Sequence, residues 1–170
     1  MVSDADFNFD GLLPGEYFLR TRVPWIVKSI SWNGRIYTDV PFGTGATPDI
    51  QDVEVVVTQD GATLSGTITT GQNTQARDAI VLLFPATAAL WTKLGLWSPR
   101  IRSVTASPGG QYEITNVPAG DYLVIAVGGP SSRLRIGPEF FRAVEPFSTR
   151  VSLAWSQAAK IDLVVRDQSR

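Results

Sequence analysis

Apolar and polar residues alternate at period two in several short stretches of the chain, the pattern of half-buried β-strands. The clearest stretch is residues 111–127, where Tyr112 and Ile114 alternate with polar neighbours before a turn, and Tyr122 and Val124 continue the alternation after it. We therefore expect these residues to form a β-hairpin.

The residues at the predicted turns agree with this pattern. Pro118 presets the backbone for the first central position of a tight turn, and Gly120 accepts a positive φ because it has no Cβ. Asn33-Gly34 predicts a type I′ hairpin turn, which needs positive φ at both positions. Gly66 lies inside a strand-like stretch and predicts a bulge or the close approach of another backbone segment.

The same criteria predict the rest of the secondary structure. Residues 79–84 are apolar throughout, which predicts a strand buried on both faces. Pro138, followed by a glutamate and a one-sided set of apolar residues, predicts a short helix over residues 138–147. Further strands are predicted at residues 17–23, 25–32, 35–40, 53–57, 62–70, 100–106, 149–154 and 159–165.

Part of this pattern occurs twice. Residues 7–22 align on residues 112–127 without a gap, and residues 52–57 match residues 160–165 position by position. An internal repeat of this kind indicates two copies of one structural unit.

The repeat defines the expected domain organisation. Residues 62–106 have no counterpart upstream, so we predict a complete β-domain at residues 59–170, preceded by the C-terminal half of another copy at residues 1–58. A sandwich without its opening strands exposes a sheet edge. We therefore expect it to pack on the complete domain, on other domains of a larger parent chain or on a second copy of the chain.

Composition excludes several kinds of function. The chain has 170 residues, no cysteine and no histidine, so disulfides, thiolate metal sites and histidine-based dyads cannot form. A net charge of −1 offers no field to attract nucleic acid. The first residues have no basic and apolar segments of a signal peptide, and no apolar run is long enough to span a membrane.

Four sequence pieces occur in order along the chain: W-x-[VL]-K-S-[IV]-x-x-N-G at residues 25–34, L-S-G-T-[IV] at 64–68, G-x-Y-x-[IF]-x-[NG]-[VL]-P-x-G-[DE]-Y at 110–122, and residues 138–141 with 149–153. Together they resemble the carboxypeptidase regulatory-like family. The resemblance implies a non-catalytic, Ig-like or transthyretin-like antiparallel β-sandwich in an exported bacterial protein that is extracellular or periplasmic.

Trp91 and Trp97 are the candidate ligand-binding residues. They lie six residues apart in a connection that Arg100 and Arg102 follow, and indoles on a loop can stack on a sugar ring. A carbohydrate-binding module is therefore the alternative function. The competing interpretation is that one or both rings close the open end of the sandwich, since tryptophan is usually well buried.

Other motifs give weaker indications. Asp6, Asn8 and Asp10 resemble the start of an EF-hand calcium loop, but the twelfth position is Tyr17 instead of glutamate. Lys160 is the one strand lysine of the complete domain, but the glutamate motif of an isopeptide cross-link is absent. We find no nucleophile elbow, P-loop or zinc-protease motif, and therefore expect no catalytic residues, metal or cofactor.

Overall fold

The chain folds as an all-β sandwich with one short helix on its outer face. The computed structural model describes residues 6–22, 24–43, 50–72, 74–91, 98–128 and 136–166. Its strands are β1 (Glu16–Tyr17), β2 (Ile26–Trp32), β3 (Arg35–Ile36), β4 (Phe42–Gly43), β5 (Glu54–Thr58), β6 (Ala62–Thr69), β7 (Ile80–Pro85), β8 (Arg102–Thr105), β9 (Gln111–Val117), β10 (Gly120–Val127), β11 (Thr149–Leu153), β12 (Ala158–Lys160) and β13 (Leu163–Val164). The helix α1 (Pro138–Val144) continues into a 3-10 turn at Glu145–Phe147, and another 3-10 turn spans Ala88–Leu90.

Two sheets form the sandwich. The first has the antiparallel order β11-β10-β7-β8. In the second, β9 pairs antiparallel with one edge of β6, and β12 and β13 pair in turn with its other edge. The last two pairings are parallel, which the expectation of an antiparallel sandwich did not include.

The first sheet is covered on both faces. Val81 and Leu83 of β7 face the core between the sheets, whereas Leu82 and Phe84 face a second apolar cluster on the outside of the first sheet. Helix α1 covers this second cluster with the buried ring of Phe141, which stacks on Phe84 at 4.6 Å between ring centroids. The prediction of a strand buried on both faces is confirmed, because every residue of β7 is buried.

The predicted hairpin at residues 111–127 is wrong in its pairing. Both strands exist, but β9 belongs to the second sheet and β10 to the first, so the turn carries the chain across the sandwich. Asn116 adopts φ 55° and Gly120 φ 156°, which turns the chain away from a hairpin path. The connection between β11 and β12, with Ser156 at φ 61°, crosses between the sheets in the same way.

The close approach predicted at Gly66 is confirmed. A Cβ built on Gly66 would lie 1.9 Å from the carbonyl oxygen of Ile161, which connects β12 to β13. The same carbonyl accepts a hydrogen bond from the Tyr112 hydroxyl at 2.7 Å. Asp162, next along the chain, accepts two hydrogen bonds of 2.8 Å from the backbone and side chain of Thr67. These contacts hold the last strand against β6.

Residues 6–58 form smaller sheets beside the sandwich. The order β3-β2-β5 gives one antiparallel sheet, and β1 pairs antiparallel with β4. The Asn33-Gly34 turn joins β2 to β3 with φ values of 49° and 73°, as predicted. The strands predicted at 17–23 and 35–40 are mostly absent, since regular pairing is confined to the short β1 and β3.

The two matching segments 52–57 and 160–165 pair differently. Leu163–Val164 pairs parallel with β6, whereas Glu54–Thr58 pairs antiparallel with β2. Two segments that match in sequence therefore have different pairing partners in this fold.

We expect Gly66→Ala to destabilise the protein strongly, because a backbone carbonyl occupies the position of the new methyl group. The free energy of unfolding should fall by about 3 kcal/mol or more, the range of severe packing defects. Gly71→Ala is the matched control, since nothing lies within 4 Å of its added Cβ. Urea unfolding followed by tryptophan fluorescence measures both changes, and equal midpoints for the two variants would contradict the close approach.

We also expect the folded protein to lose stability at alkaline pH. Burial, with a contribution from the charge of Asp162, raises the pKa of Tyr112 from 10.0 to about 12. The unfolded chain therefore loses this proton first, and the stability present below pH 10 is lost as the pH rises toward 12. In Tyr112→Phe, the free energy of unfolding should decrease less steeply with pH. At neutral pH it should be about 1 kcal/mol lower than in the unchanged protein, because one hydrogen bond is missing. Urea midpoints measured from pH 8 to pH 12 test the slope, and unchanged slopes would contradict the assignment.

Candidate functional site

The turn between β9 and β10 is fixed by a buried tyrosine. The Tyr122 side chain is fully buried, and its hydroxyl donates to the Pro118 carbonyl at 2.7 Å, four residues upstream. Tyr17 makes the same type of bond to the Leu13 carbonyl at 2.5 Å. A tyrosine that bonds back to the preceding corner is a known feature of Ig-like sandwiches.

Arg100 connects this corner to the N-terminal part of the chain. Its Nη1 donates to the Ala119 carbonyl at 2.8 Å and to the Tyr122 hydroxyl at 3.2 Å, and its Nε forms an ion pair with Asp39. Burial alone lowers the pKa of Arg100, but the bond to Asp39 and the nearby Tyr122 outweigh it and raise the pKa above its ordinary value. Arg100 is therefore charged and held from both sides.

Other contacts also join the N-terminal part to the sandwich. The Cδ1 of Ile26 lies 2.4 Å from the position of a Cβ on Gly61, so the absence of a side chain at Gly61 lets Ile26 approach. The Nζ of Lys28 lies 5.9 Å from the centre of the Trp155 ring. The N-terminal sheets are thus in contact with the sandwich at several separate points.

A cleft of about 130 Å³ opens where the two parts meet. Its lining combines three arginines, one aspartate and one tryptophan with small polar and apolar side chains. The N-terminal part contributes Arg20, Trp25, Thr38 and Asp39, among others, and the sandwich contributes Pro99, Arg100, Arg102, Asn116 and Pro118.

The cleft lining carries more cationic than anionic side chains. Its cations are Arg20, Arg100 and Arg102, and Arg100 is paired with Asp39. Burial lowers the pKa of Arg102, and the positive charge of Arg20 lowers it further against the opposing effect of Tyr122. Two like charges disfavour each other's charged form, which is why Arg20 adds to the lowering.

Trp25 forms an exposed wall of the cleft, with 48% of its surface accessible. A local turn holds its backbone, because the Trp25 amide donates to the Arg22 carbonyl at 3.0 Å and the Trp25 carbonyl accepts from the Thr21 hydroxyl at 2.7 Å. The ring is therefore presented by a hydrogen-bonded turn.

The structure places Trp91, one of the two predicted ligand-binding residues, in the outer apolar cluster. Only 5% of it is exposed, its Nε1 donates to the Pro85 carbonyl at 2.7 Å, and its ring packs against Phe84 and Phe141. In this position the indole has no open face for a sugar. Trp97 lies outside the described residues, so its part in ligand binding stays a prediction.

The remaining candidate residues form no reactive group. Asn8 donates to the Asp10 carboxylate at 3.0 Å, and Lys160 is exposed on β12. Within the described ranges, no three histidine, cysteine, aspartate or glutamate residues come together in a way that could hold a metal ion. No helix in those ranges is long and apolar enough to cross a membrane.

Sequence reasoning did not find the cleft. In the sequence, Arg100 and Arg102 stand out only as neighbours of the two tryptophans, and no pattern marks Asp39. The Arg100–Asp39 pair joins positions 61 residues apart, and no local pattern links them. The sequence signal for this site is the pair of arginines, Arg100 and Arg102, at the start of a predicted strand.

Comparison with known proteins gives remote structural matches only. The sequence matches no family model and no curated protein. Solved structures similar to the chain include the TIE protein of Bacillus anthracis (16% identity, 68% of this chain and 18% of that one, TM-score 0.39). The pilus 2b backbone protein of group B streptococcus matches with 14% identity, 75% of this chain and 47% of that one, and a TM-score of 0.39.

A candidate carbohydrate-binding protein from Pseudomonas aeruginosa matches with 17% identity, 63% of this chain and 89% of that one, and a TM-score of 0.37. The matched part of the chain thus spans less than half of the first two proteins and most of the third.

We predict that Arg100→Met weakens the whole molecule, because it leaves Asp39, the Ala119 carbonyl and the Tyr122 hydroxyl without their donor. Loss of one partner of a largely buried ion pair costs about 3 kcal/mol. Arg77→Met, at an exposed position, serves as the control and should change stability by less than about 0.5 kcal/mol. Urea unfolding measures both, and a similar effect of the two substitutions would show that Arg100 does not hold the N-terminal part in place.

Proposed function

We propose that the chain is a non-catalytic β-sandwich module of the carboxypeptidase regulatory-like type, which serves as a spacer or protein-interaction unit in a larger exported bacterial protein. Residues 59–170 are its complete domain, and residues 1–58 are the C-terminal half of a preceding copy. The repeated tyrosine corner supports this division, because Tyr17 and Tyr122 each bond the carbonyl four residues upstream. In both copies the tyrosine also lies in an antiparallel strand pair, β1 with β4 and β10 with β11.

One observation carries the interaction role. Among the described residues, ten large apolar side chains are exposed, and eight of them belong to residues 6–58. These eight are Phe7, Phe9, Leu13, Trp25, Ile36, Val40, Val56 and Val57. Concentrated apolar exposure on one part of a molecule is the sign of an interaction surface.

The small sheet gives this surface a defined face. Ile36 lies opposite Ser31, and Val56 lies opposite Ser29, so the two apolar side chains project from the same side of β3-β2-β5. Their exposures are 66% and 39%. We propose that this face contacts a neighbouring domain or a second copy of the chain.

A non-enzymatic role agrees with the chemistry of the described residues. The polar groups of the cleft are arginines, an aspartate paired with Arg100, threonine and asparagine, a set that suits binding. Carbohydrate binding by Trp91 and Trp97 remains the alternative, and it now depends on Trp97. A tryptophan fluorescence change with sugar that disappears in Trp97→Ala would support it.

We expect the full chain to self-associate, because a partner copy would cover the apolar face. The apparent mass by light scattering should rise with protein concentration. The double substitution Ile36→Ser and Val56→Ser should raise the protein concentration at which half of the chains are associated at least about tenfold. Phe147→Ser is the matched control, since Phe147 is 60% exposed but lies on the complete domain. A constant single-chain mass would exclude a second copy as the partner and leave only the spacer role or a different domain.

A further inference from the structure

Strand β5 forms an open edge of the small sheet β3-β2-β5. Among the described residues, β5 pairs with β2 alone, and it lies at the end of the strand order. The backbone N–H and C=O groups on its other side therefore face no strand in the part of the chain that the structure describes. A row of such groups can pair with a strand of another molecule.

The residues of β5 do not protect this edge. The strand has the sequence E-V-V-V-T, with its one charge at the first position and no proline. Val56 and Val57 project to opposite faces of the sheet, and 39% and 38% of their surfaces are exposed. The outer strands of the sandwich differ, because β8 and β11 each carry an arginine and β9 carries a glutamate, and their apolar side chains pack in or against the core.

The sequence of β5 is complementary to itself. In an antiparallel pair of β5 strands related by a two-fold axis through Val56, that residue lies opposite its own copy, and Val55 lies opposite Val57. Glu54 lies opposite Thr58, so no two like charges face each other within the pair. Apolar cross-strand pairs at the centre with uncharged pairing at the ends favour this register.

The ends of β5 agree with the same register. Before the strand, Asp52 adopts φ 59°, which is not an extended conformation. After the strand, the Thr58 hydroxyl donates to the Asp60 carboxylate at 3.1 Å and accepts from the Asp60 amide at 3.0 Å, which forms a local turn. Both aspartates therefore lie outside the ladder, and the register about Val56 uses the strand from its first residue to its last.

We propose that the open edge of β5 binds a second copy of this chain, whose own β5 adds antiparallel about Val56, so that the two small sheets become one continuous sheet. A second copy is the occupant that the self-complementary register favours. The proposal rests on the proposed interaction role and specifies it, because the second copy attaches at the strand edge. A two-fold axis perpendicular to the sheet leaves Ile36 of both copies on the same side, where the joined face stays open to a neighbouring domain.

Disulfide cross-linking of the full chain tests the register, because the chain has no cysteine of its own. In Val56→Cys the two thiols should face each other across the axis, with Cα atoms about 5 Å apart, a distance that a disulfide can bridge. Ile36→Cys is the matched control on the same face. Its two thiols should lie about 24 Å apart, since β3 is two strands away from β5 in each copy.

Mild oxidation followed by electrophoresis without reductant measures the rate of cross-linking. We expect Val56→Cys to cross-link at least about tenfold faster than Ile36→Cys, because only the first pair of thiols is within bonding range. Random collision would give the opposite order, since Ile36 is 66% exposed and Val56 is 39% exposed.

A charge at the axis gives a second test without oxidation. Val56→Lys places two like charges opposite each other, so the protein concentration at which half of the chains are associated should rise at least about tenfold. Ile36→Lys adds the same charge to the same face away from the axis, and should change this concentration less than about threefold. Thermal unfolding checks that each variant is folded. If Val56→Lys does not fold, a mixture of Val55→Cys and Val57→Cys should cross-link between the two variants, because these positions face each other in the proposed register.

Two results would overturn the proposal, and they differ in what they leave standing. If the chains associate but Ile36→Cys cross-links as fast as Val56→Cys, the second copy binds on the sheet face. Edge pairing is then wrong, while the interaction role stands. If light scattering gives a constant single-chain mass and neither variant cross-links, no second copy binds at all, and only the spacer role or contact with a different domain remains.

Discussion

The buried hydroxyl of Tyr122 is the point that connects the two sheets and the N-terminal part of the chain. A phenol fully removed from water needs hydrogen-bond partners, and Tyr122 finds them in the Pro118 carbonyl and in Arg100. The first bond fixes the corner at which the chain changes sheets. The second fixes Arg100, which in turn holds Asp39 of the N-terminal part. Burial raises the pKa of Tyr122 despite the nearby arginines, so the hydroxyl keeps its proton and remains a donor.

The first sheet lies between two apolar clusters of the sandwich. Alternate residues of β7 and β10 face two different apolar clusters, one against the second sheet and one against α1 and Trp91. Each face of the first sheet carries apolar side chains, and each must be covered by other parts of the chain, because exposing them to water would cost hydrophobic free energy. This requirement explains why Trp91 belongs to the core, and it moves the candidate ligand site away from that tryptophan.

The N-terminal part shows that similar sequences can pair differently. Its β5 resembles residues 160–165 in sequence, but it pairs with β2. The resulting small sheet buries Ile26 and Ile30 and leaves Ile36 and Val56 exposed. Where this sheet contacts the sandwich, arginines from both parts line one cleft with Trp25.

The sequence alone determined most of the local structure and little of its arrangement. Period-two alternation located most strands, the apolar run at residues 79–84 indicated burial on both faces, and Gly66 indicated a close backbone approach, because each of these signals is local. The tertiary structure alone decided that residues 111–117 and 120–127 lie in different sheets, that the last strands run parallel to β6, and that Trp91 is buried. It also brought Asp39 to Arg100 and Arg20 to Arg102. Strand partners and ion pairs between distant residues depend on the packing of the whole chain, which no short sequence pattern encodes.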